Sequence, residues 1–362
     1  YSTLIFTTLL CYAFITRTQW DDYIEQLVGA ITFTANLILP FQSGYFEASA
    51  EGKPLLHTWS LSLEEQYYFF MPLFLFFVTR KLRGWFLVAS IIISLLLCFT
   101  FVSFPFTYWR LPNIDSSTVA FYLLPTRAWE LLVGSLTAWL MLKSPTLIIH
   151  RSIKLLVLAL LVISMVVSVD DIHPRGDALL VVIATAILLI GRDNWLPINF
   201  LTRAIIKVGD YSYSLYLVHW PLFAFAYNAY LGVVPGYVMW SLFFLSIILG
   251  FIQYKYVEQR FRYGWHENSQ ITFRKLVGCT VLVIMLPIPV IISGLQNDQS
   301  GFIDFQDIRR SNIGLSWDCV QGKTFTKPTA SCMTSNNPKI ALWGDSYVMH
   351  LIPGLKNELG IG

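Results

Sequence analysis

Long apolar runs of bilayer length organise this chain, and a run of that kind has few ways to fold. About 20 consecutive apolar residues cross the hydrocarbon of a bilayer as a helix. In lipid the backbone must satisfy its own hydrogen bonds, which leaves helices or closed barrels. The runs fall at 1–16, 61–79, 85–104, 118–142, 153–169, 177–191, 209–231, 237–257 and 276–294. The run at 177–191 is short for a crossing and needs support from its neighbours. Composition agrees: 13% of the residues are charged, against roughly 25% in a soluble domain. Many of the Trp, Tyr and Phe residues stand at the ends of the runs, where amphipathic rings meet headgroups. A net charge of +3 argues against nucleic acid as the main partner.

The basic residues set an orientation. Arg80, Lys81 and Arg83 form one cluster; Lys143, Arg151 and Lys154 a second; Arg192, Arg203 and Lys207 a third; Arg260, Arg262, Arg274 and Lys275 a fourth. They occupy alternate loops, and the positive-inside rule assigns those loops to the cytoplasm. The polar tail after Gly294 is then extracytoplasmic. The segment 26–41 is of marginal length and carries Thr32, Thr34 and Asn36, with Gln42 just beyond. It reads as a re-entrant or in-plane helix on the outer face. Tyr1 opens straight into an apolar run without a basic leader, and Gly360 to Gly362 interrupt a helical pattern that has just begun. The chain is therefore expected to be a piece of a longer protein.

Ionisable groups inside a bilayer are costly and default to function. Four places carry them. Leu55 to Tyr68 opens a long apolar helix and holds His57, Trp59, Glu64, Glu65 and Tyr67. Ser60 or Ser62 could cap that helix, which alone would explain one acid. Arg127 and Glu130 share a helix face. They are either a self-neutralising pair or an Arg that holds a phosphate or carboxylate, oriented by Glu130. His219 lies mid-run, two residues before Pro221. The carbonyl that Pro221 frees one turn earlier offers it a structural partner. Glu258, with Arg260 and Arg262, reads as a basic interfacial anchor.

The tail from Gln296 to Pro338 is polar and holds Cys319 and Cys332. These two are expected to pair in an oxidising compartment. No His or second Cys pair accompanies them, so no metal site is expected. Lys339 to Trp343 reads as a buried strand, Gly344-Asp345-Ser346 as a tight turn, and Tyr347 to Leu359 as a helix. A Ser at such a turn is exposed beside helix N–H groups, which suits a nucleophile with part of an oxyanion hole at Gly344 and Ser346. His350 is poorly placed as its base, and the residues after Ser346 supply no other.

Two segments, Pro54 to Tyr67 (PLLHTWSLSLEEQY) and Tyr211 to Pro221 (YSYSLYLVHWP), strongly resemble the membrane acyltransferase-3 family. Ile340 to Ser346 (IALWGDS) is similar to the first block of an SGNH (GDSL-like) domain. Together they resemble bacterial fusions of the two that O-acetylate lipopolysaccharide O-antigen or peptidoglycan. The resemblance implies a helical polytopic membrane protein of about nine spans plus the re-entrant segment, followed by the start of an α/β domain. The domains would be 1–294 (membrane), 295–338 (linker) and 339–362 (start of the SGNH domain). It implies a bacterial inner-membrane O-acyltransferase with its tail in the periplasm and no bound cofactor. Cytoplasmic acyl-CoA would be the donor and a cell-surface glycan the acceptor. It further implies Ser346 as nucleophile, catalysis by Glu64, Glu65 and His219, and substrate binding by His57, Trp59, Tyr67, Arg127 and Glu130. The family's N-terminal Arg and His, and the later SGNH Asn and Asp-x-x-His, have no counterparts in the chain. Two other classes fit the same residues: a transporter or flippase that makes no bond, and a membrane-anchored esterase.

Overall fold

The computed structural model describes residues 1–42, 50–103, 116–164, 176–191, 199–263 and 269–297, with 332–333, 342, 351–352 and 354–355. It divides into two compact units, Tyr1–Ser300 and Gly301–Gly362. Among the described residues there is no β-strand.

The regular elements described in the first unit are all helices. Its helices are α1 (Ser2–Phe14), α2 (Trp20–Thr32), α3 (Ala35–Ile38), α4 (Thr58–Phe77), α5 (Arg83–Ser103), α6 (Ser116–Tyr122), α7 (Leu124–Lys143) and α8 (Arg151–Ser164). Next come α9 (Gly176–Leu189), α10 (Phe200–Asp210), α11 (Ser212–Ala229), α12 (Gly236–Gln253), α13 (Gln259–Tyr263), α14 (Ser269–Met285) and α15 (Ile288–Asn297). Each expected run contains a helix. Three stretches are long and apolar enough to cross a membrane by themselves: Arg83–Ser103, Gly236–Arg262 and Arg274–Ser293. Ser2–Phe14 and Ala178–Leu189 are shorter apolar helices.

The packing is inverted relative to a soluble protein. Phe69, Phe76, Phe77 and Trp85 are 70%, 81%, 75% and 75% exposed, while Thr3, Thr7, Thr8, Gln26 and Asn36 are buried. Water would not tolerate that surface over several helices, but lipid does. The buried polar side chains hold helices together where apolar contact with lipid would be equally good. Thr8 and Tyr23 hydroxyls join α1 to α2 at 2.7 Å, and Gln253 Nε2 donates to Thr3 Oγ1 at 3.1 Å, joining α12 to α1. One apolar cluster gathers Cys11, Trp20, Tyr23, Leu27, Leu55, Phe225 and Val283. A second, of Tyr67, Met71, Leu87 and Leu132, knits α4, α5 and α7.

Several expected runs are broken. Residues 26–41 form no single helix. Phe33 adopts φ 55 and ends α2, and Thr34 N–H returns to the Gly29 carbonyl at 2.8 Å. α3 then folds back so closely that a Cβ on Gly29 would lie 2.8 Å from Ala35 Cα. The run at 118–142 breaks at extended Leu123, with Pro125 in the first turn of α7. The run at 276–294 breaks between α14 and α15, at Leu286–Pro287.

In the second unit, the expected disulfide partner Cys319, the turn residues Gly344 and Ser346, and most of the expected strand lie outside the described residues. Leu342, which falls within that strand, is not in one, so no α/β domain is seen among the described residues. Cys332 is disulfide-bonded.

α11 and α12 lie close because Gly250 has no side chain: a Cβ there would meet Leu215 Cα at 2.9 Å. Backbone cannot yield as a side-chain tip can. Gly250→Val is therefore expected to destabilise the protein by about 1–3 kcal/mol. Thermal unfolding of the detergent-solubilised protein would show it as a lowered transition. An unchanged transition would mean the two helices are free to separate.

Candidate functional site

The segment 50–57 carries polar backbone into the helical unit, where side chains from other elements meet the Gly52 and Lys53 carbonyls and the Leu55 N–H. Asn228 Nδ2 donates to the Gly52 carbonyl at 2.8 Å, and Trp220 Nε1 to the Lys53 carbonyl at 2.9 Å. Leu55 N–H donates to Gln26 Oε1 at 3.2 Å. The Gln26 amide in turn donates to Gln42 Oε1 at 3.1 Å, and buried Lys53 donates to the Gln42 carbonyl. The segment is thereby laid along α11, and α4 begins at Thr58 opposite the middle of that helix.

His57 and His219 come together at that point. Their ring centroids are 6.2 Å apart, with Tyr216 5.5 Å from His57 and 5.6 Å from His219. Tyr216 Oη donates to the His57 carbonyl at 2.6 Å. Ser60 Oγ lies against Tyr216 Oη and 3.3 Å from the same carbonyl, so the two hydroxyls share the His57 carbonyl. His219 Nδ1 lies 2.7 Å from the Tyr216 carbonyl and 3.3 Å from the Leu215 carbonyl. Carbonyls only accept, so Nδ1 carries the proton and Nε2 keeps its lone pair. The Leu217 carbonyl, the one Pro221 frees, is not the partner of His219. It approaches His57 instead, without reaching hydrogen-bond geometry. His57 is 4% exposed, and neither of its ring nitrogens is hydrogen-bonded among the described residues. A charged ring there would have no partner, so the neutral form is the stable one.

A second cluster uses the other side of α4. Arg127 and Glu130 form a two-pronged pair, Nε to Oε1 at 2.9 Å and Nη2 to Oε2 at 3.0 Å. The guanidinium carbon lies 4.9 Å from the ring centroid of Trp59 and 4.9 Å from that of Phe121. Arg127 Nη1 is buried without a partner among the described residues. Tyr67 Oη meets Ser135 Oγ at 2.7 Å and ties α4 to α7. Glu130 also borders a groove of about 140 Å³ between α7 and α9, lined by Gly134, Val181, Thr185 and Leu189.

The remaining sequence candidates are placed differently. Glu64 and Glu65 lie two turns along α4 from His57 and bond to no described side chain. They act electrostatically on Tyr213, as does Glu258. Neither serine caps α4: Ser60 bonds to Tyr216, and Ser62 Oγ accepts from Ala35 N–H at 3.2 Å. Tyr216, Ser60 and the Glu258–Ser214 contact were not singled out from the sequence as site residues. Ser214 Oγ donates to Glu258 Oε2 at 2.7 Å, so Glu258 reaches inward as well as pairing with Arg262 at 3.4 Å. It ends a π-helical turn, Tyr254–Glu258, a local unwinding frequent at functional sites. No group of three or more metal-ligating side chains occurs among the described residues.

A helical unit with an apolar exterior and two polar clusters sharing one helix defines a membrane protein with an internal site. Residues 2–254 match the family model of the Acyl_transf_3 acyltransferase domain. The chain belongs to the acyltransferase-3 family. It is 27% identical, over 92% of its length, to a protein of Staphylococcus aureus (strain MRSA252) provisionally named an O-acetyltransferase, and covers 60% of that relative. It is 28% identical to the O-acetyltransferase OatA of the same strain, over 73% of this chain and 46% of that one. An uncharacterised Haemophilus influenzae protein is 42% identical over 114 residues, 30% of this chain and 44% of that one. The chain thus spans about 60% or less of each of these relatives. No solved structure matches.

Two outcomes test these contacts. Trp220→Phe removes one of the two donors on the Lys53 carbonyl, the other being Leu56 N–H at 3.2 Å, and should cost about 0.5–1.5 kcal/mol, read as a lowered melting temperature. Arg127→Ala should cost about 2 kcal/mol, below the range of a fully buried pair because the side chains are 16% and 23% exposed. Arg127→Ala with Glu130→Ala should cost no more than the single change, since it strands no charge. A double variant much worse than the single would show that the pair acts as packing alone.

Proposed function

We propose that the chain is the membrane part of a bacterial O-acyltransferase. It takes an acetyl or other acyl group from cytoplasmic acyl-CoA and passes it across the inner membrane. Ser346, in an extracytoplasmic SGNH-like domain, then carries the group as an ester to a hydroxyl of a cell-surface glycan such as O-antigen or peptidoglycan. Family membership and the O-acetyltransferase names of the staphylococcal relatives support the reaction class. The observation that carries the reading is the meeting of the two family-like segments at His57 and His219.

The chemistry assigned to each group comes from its surroundings. His219 Nε2 is free to accept a proton from an attacking hydroxyl. The hydroxyl oxygen bonds to the thioester carbonyl carbon, the carbon–sulfur bond breaks, and the departing thiolate takes up the proton. Unpartnered His57 is available to hydrogen-bond the reacting oxygen. Arg127, held flat between Trp59 and Phe121 and by Glu130, offers its vacant Nη1 to a phosphate or carbonyl oxygen of the donor. Glu64 and Glu65 supply negative charge two turns away, and Tyr67 fixes α4 against α7.

The test supplies labelled acetyl-CoA to the cytoplasmic face of vesicles that hold the full-length protein and its glycan. Label should reach the glycan. His219→Gln should slow the transfer roughly 10²-fold, the scale of a lost general base, and Ser346→Ala should prevent it. Undiminished labelling in His219→Gln removes the base from this histidine, and undiminished labelling in Ser346→Ala removes the relay. Passage of substrate without acyl-CoA would favour a transporter.

A further inference from the structure

α10 is a helix with defined ends and, among the described residues, little to pack against except its successor. Asn199 and Thr202 form a reciprocal cap at its start, Thr202 N–H to Asn199 Oδ1 at 2.9 Å and Asn199 N–H to Thr202 Oγ1 at 2.8 Å. Ser212 Oγ donates to the Gly209 carbonyl at 2.8 Å at its end. Yet none of its 11 residues is buried. A helix shorter than about 12–15 residues is marginal in water without a packed face, and none is supplied among the described residues.

The sequence specifies the environment that suits such a helix. Phe200, Leu201, Ala204, Ile205 and Val208 fall on one side of the helix at 3.6-residue spacing, Arg203 and Asp210 on the other together with Ile206, and Lys207 at the border beside Phe200. Phe200, Leu201 and Ile205 are 89%, 65% and 61% exposed. Arg203 and Lys207 make no ion pair among the described residues. The helix joins directly to α11, an element of the inverted, lipid-facing packing, and belongs to a basic cluster of the kind that marks a membrane surface.

We infer that α10 lies in the plane of the membrane–water interface, its Phe200–Ile205–Val208 face among the acyl chains and Arg203 and Lys207 on the phosphates of anionic phospholipids. A neutral or purely aqueous surface would not account for both the apolar stripe and the two cations along its edge. The position matters for α11, because α10 leads through the single turn residue Tyr211 into Ser212 and Ser214, and Ser214 holds Glu258. This inference does not rest on the acyl-transfer reading.

The experiment places an environment-sensitive fluorophore at Ile205→Cys and, separately, at Lys207→Cys in the full chain, with the labelled parent protein as blank. The protein is reconstituted in nanodiscs of phosphatidylglycerol or of phosphatidylcholine, with and without a lipid that carries a quencher on its acyl chain. Emission at 205 should be blue-shifted and quenched several-fold more than at 207. Arg203→Glu with Lys207→Glu should weaken the quenching at 205 in phosphatidylglycerol and leave it unchanged in phosphatidylcholine. Three results overturn the inference. Equal water exposure at both positions means a free helix. A blue shift without lipid quenching means that protein covers the face, a second copy or a partner. Quenching indifferent to the two glutamates in phosphatidylglycerol removes the anionic headgroups.

Discussion

The architecture depends on satisfying backbone that is not helical inside a unit that excludes water. Segment 50–57 pairs only part of its backbone with itself, Lys53 N–H to the Ala50 carbonyl and Leu56 N–H to the Lys53 carbonyl, both at 3.2 Å. Each group left bare would cost about as much as a strong contact gains. Asn228, Trp220 and Gln26 take the Gly52 carbonyl, the Lys53 carbonyl and the Leu55 N–H. These are long-range contacts, so α2 and α11 are committed to each other through a stretch of loop. The loop in turn delivers His57 to His219, and the site exists because the loop is held.

α4 is the wall common to both clusters. Ser60 and Trp59 are neighbours in sequence and point to different partners, Tyr216 on α11 and Arg127 on α7. One helix thus separates an arrangement of neutral rings from an arrangement built on a charge. The separation has a physical use. Arg127 placed beside His57 would make a lone imidazole harder to protonate, whereas Glu130 and the two flanking rings absorb its field. The histidine pair is left to the weaker dipoles of the Leu215, Tyr216 and Leu217 carbonyls.

The helices are legible in the sequence because bilayer-length apolar runs have one common solution. His57, Trp59, Arg127, Glu130 and His219 are legible because ionisable or aromatic-polar groups are conspicuous in such runs. Their pairing is not. Trp59 with Arg127, or Tyr216 with Ser60, is a tertiary event with no local signature. The cap expected of Ser60 or Ser62 fails because α4 begins at Thr58, ahead of both, and inside a helix a serine hydroxyl bonds back to a carbonyl one turn earlier, as both do. Pro221 does free a carbonyl, but a freed carbonyl points outward from its own helix and so faces the neighbouring His57 rather than His219. The breaks at Phe33 and Leu123 stay hidden because an apolar count records how much hydrocarbon a segment offers, not whether its backbone stays continuous.

Glu258 shows how far such a count misleads. Beside Arg260 and Arg262 it has the composition of an interfacial anchor, and its contact with Arg262 fits that role. The π-helical turn before it adds a residue to the helix and rotates the residues beyond it, which brings the carboxylate round to buried Ser214 at the start of α11. A carboxylate that bonds inward to a hydroxyl and outward to an arginine links the interior of the unit to its charged rim. The start of α11 is therefore fixed from two directions, by Ser214 inside and by the capped α10 outside. His219 lies little more than one turn beyond Ser214, and so its lone pair is aimed by contacts that lie well away from the histidines themselves.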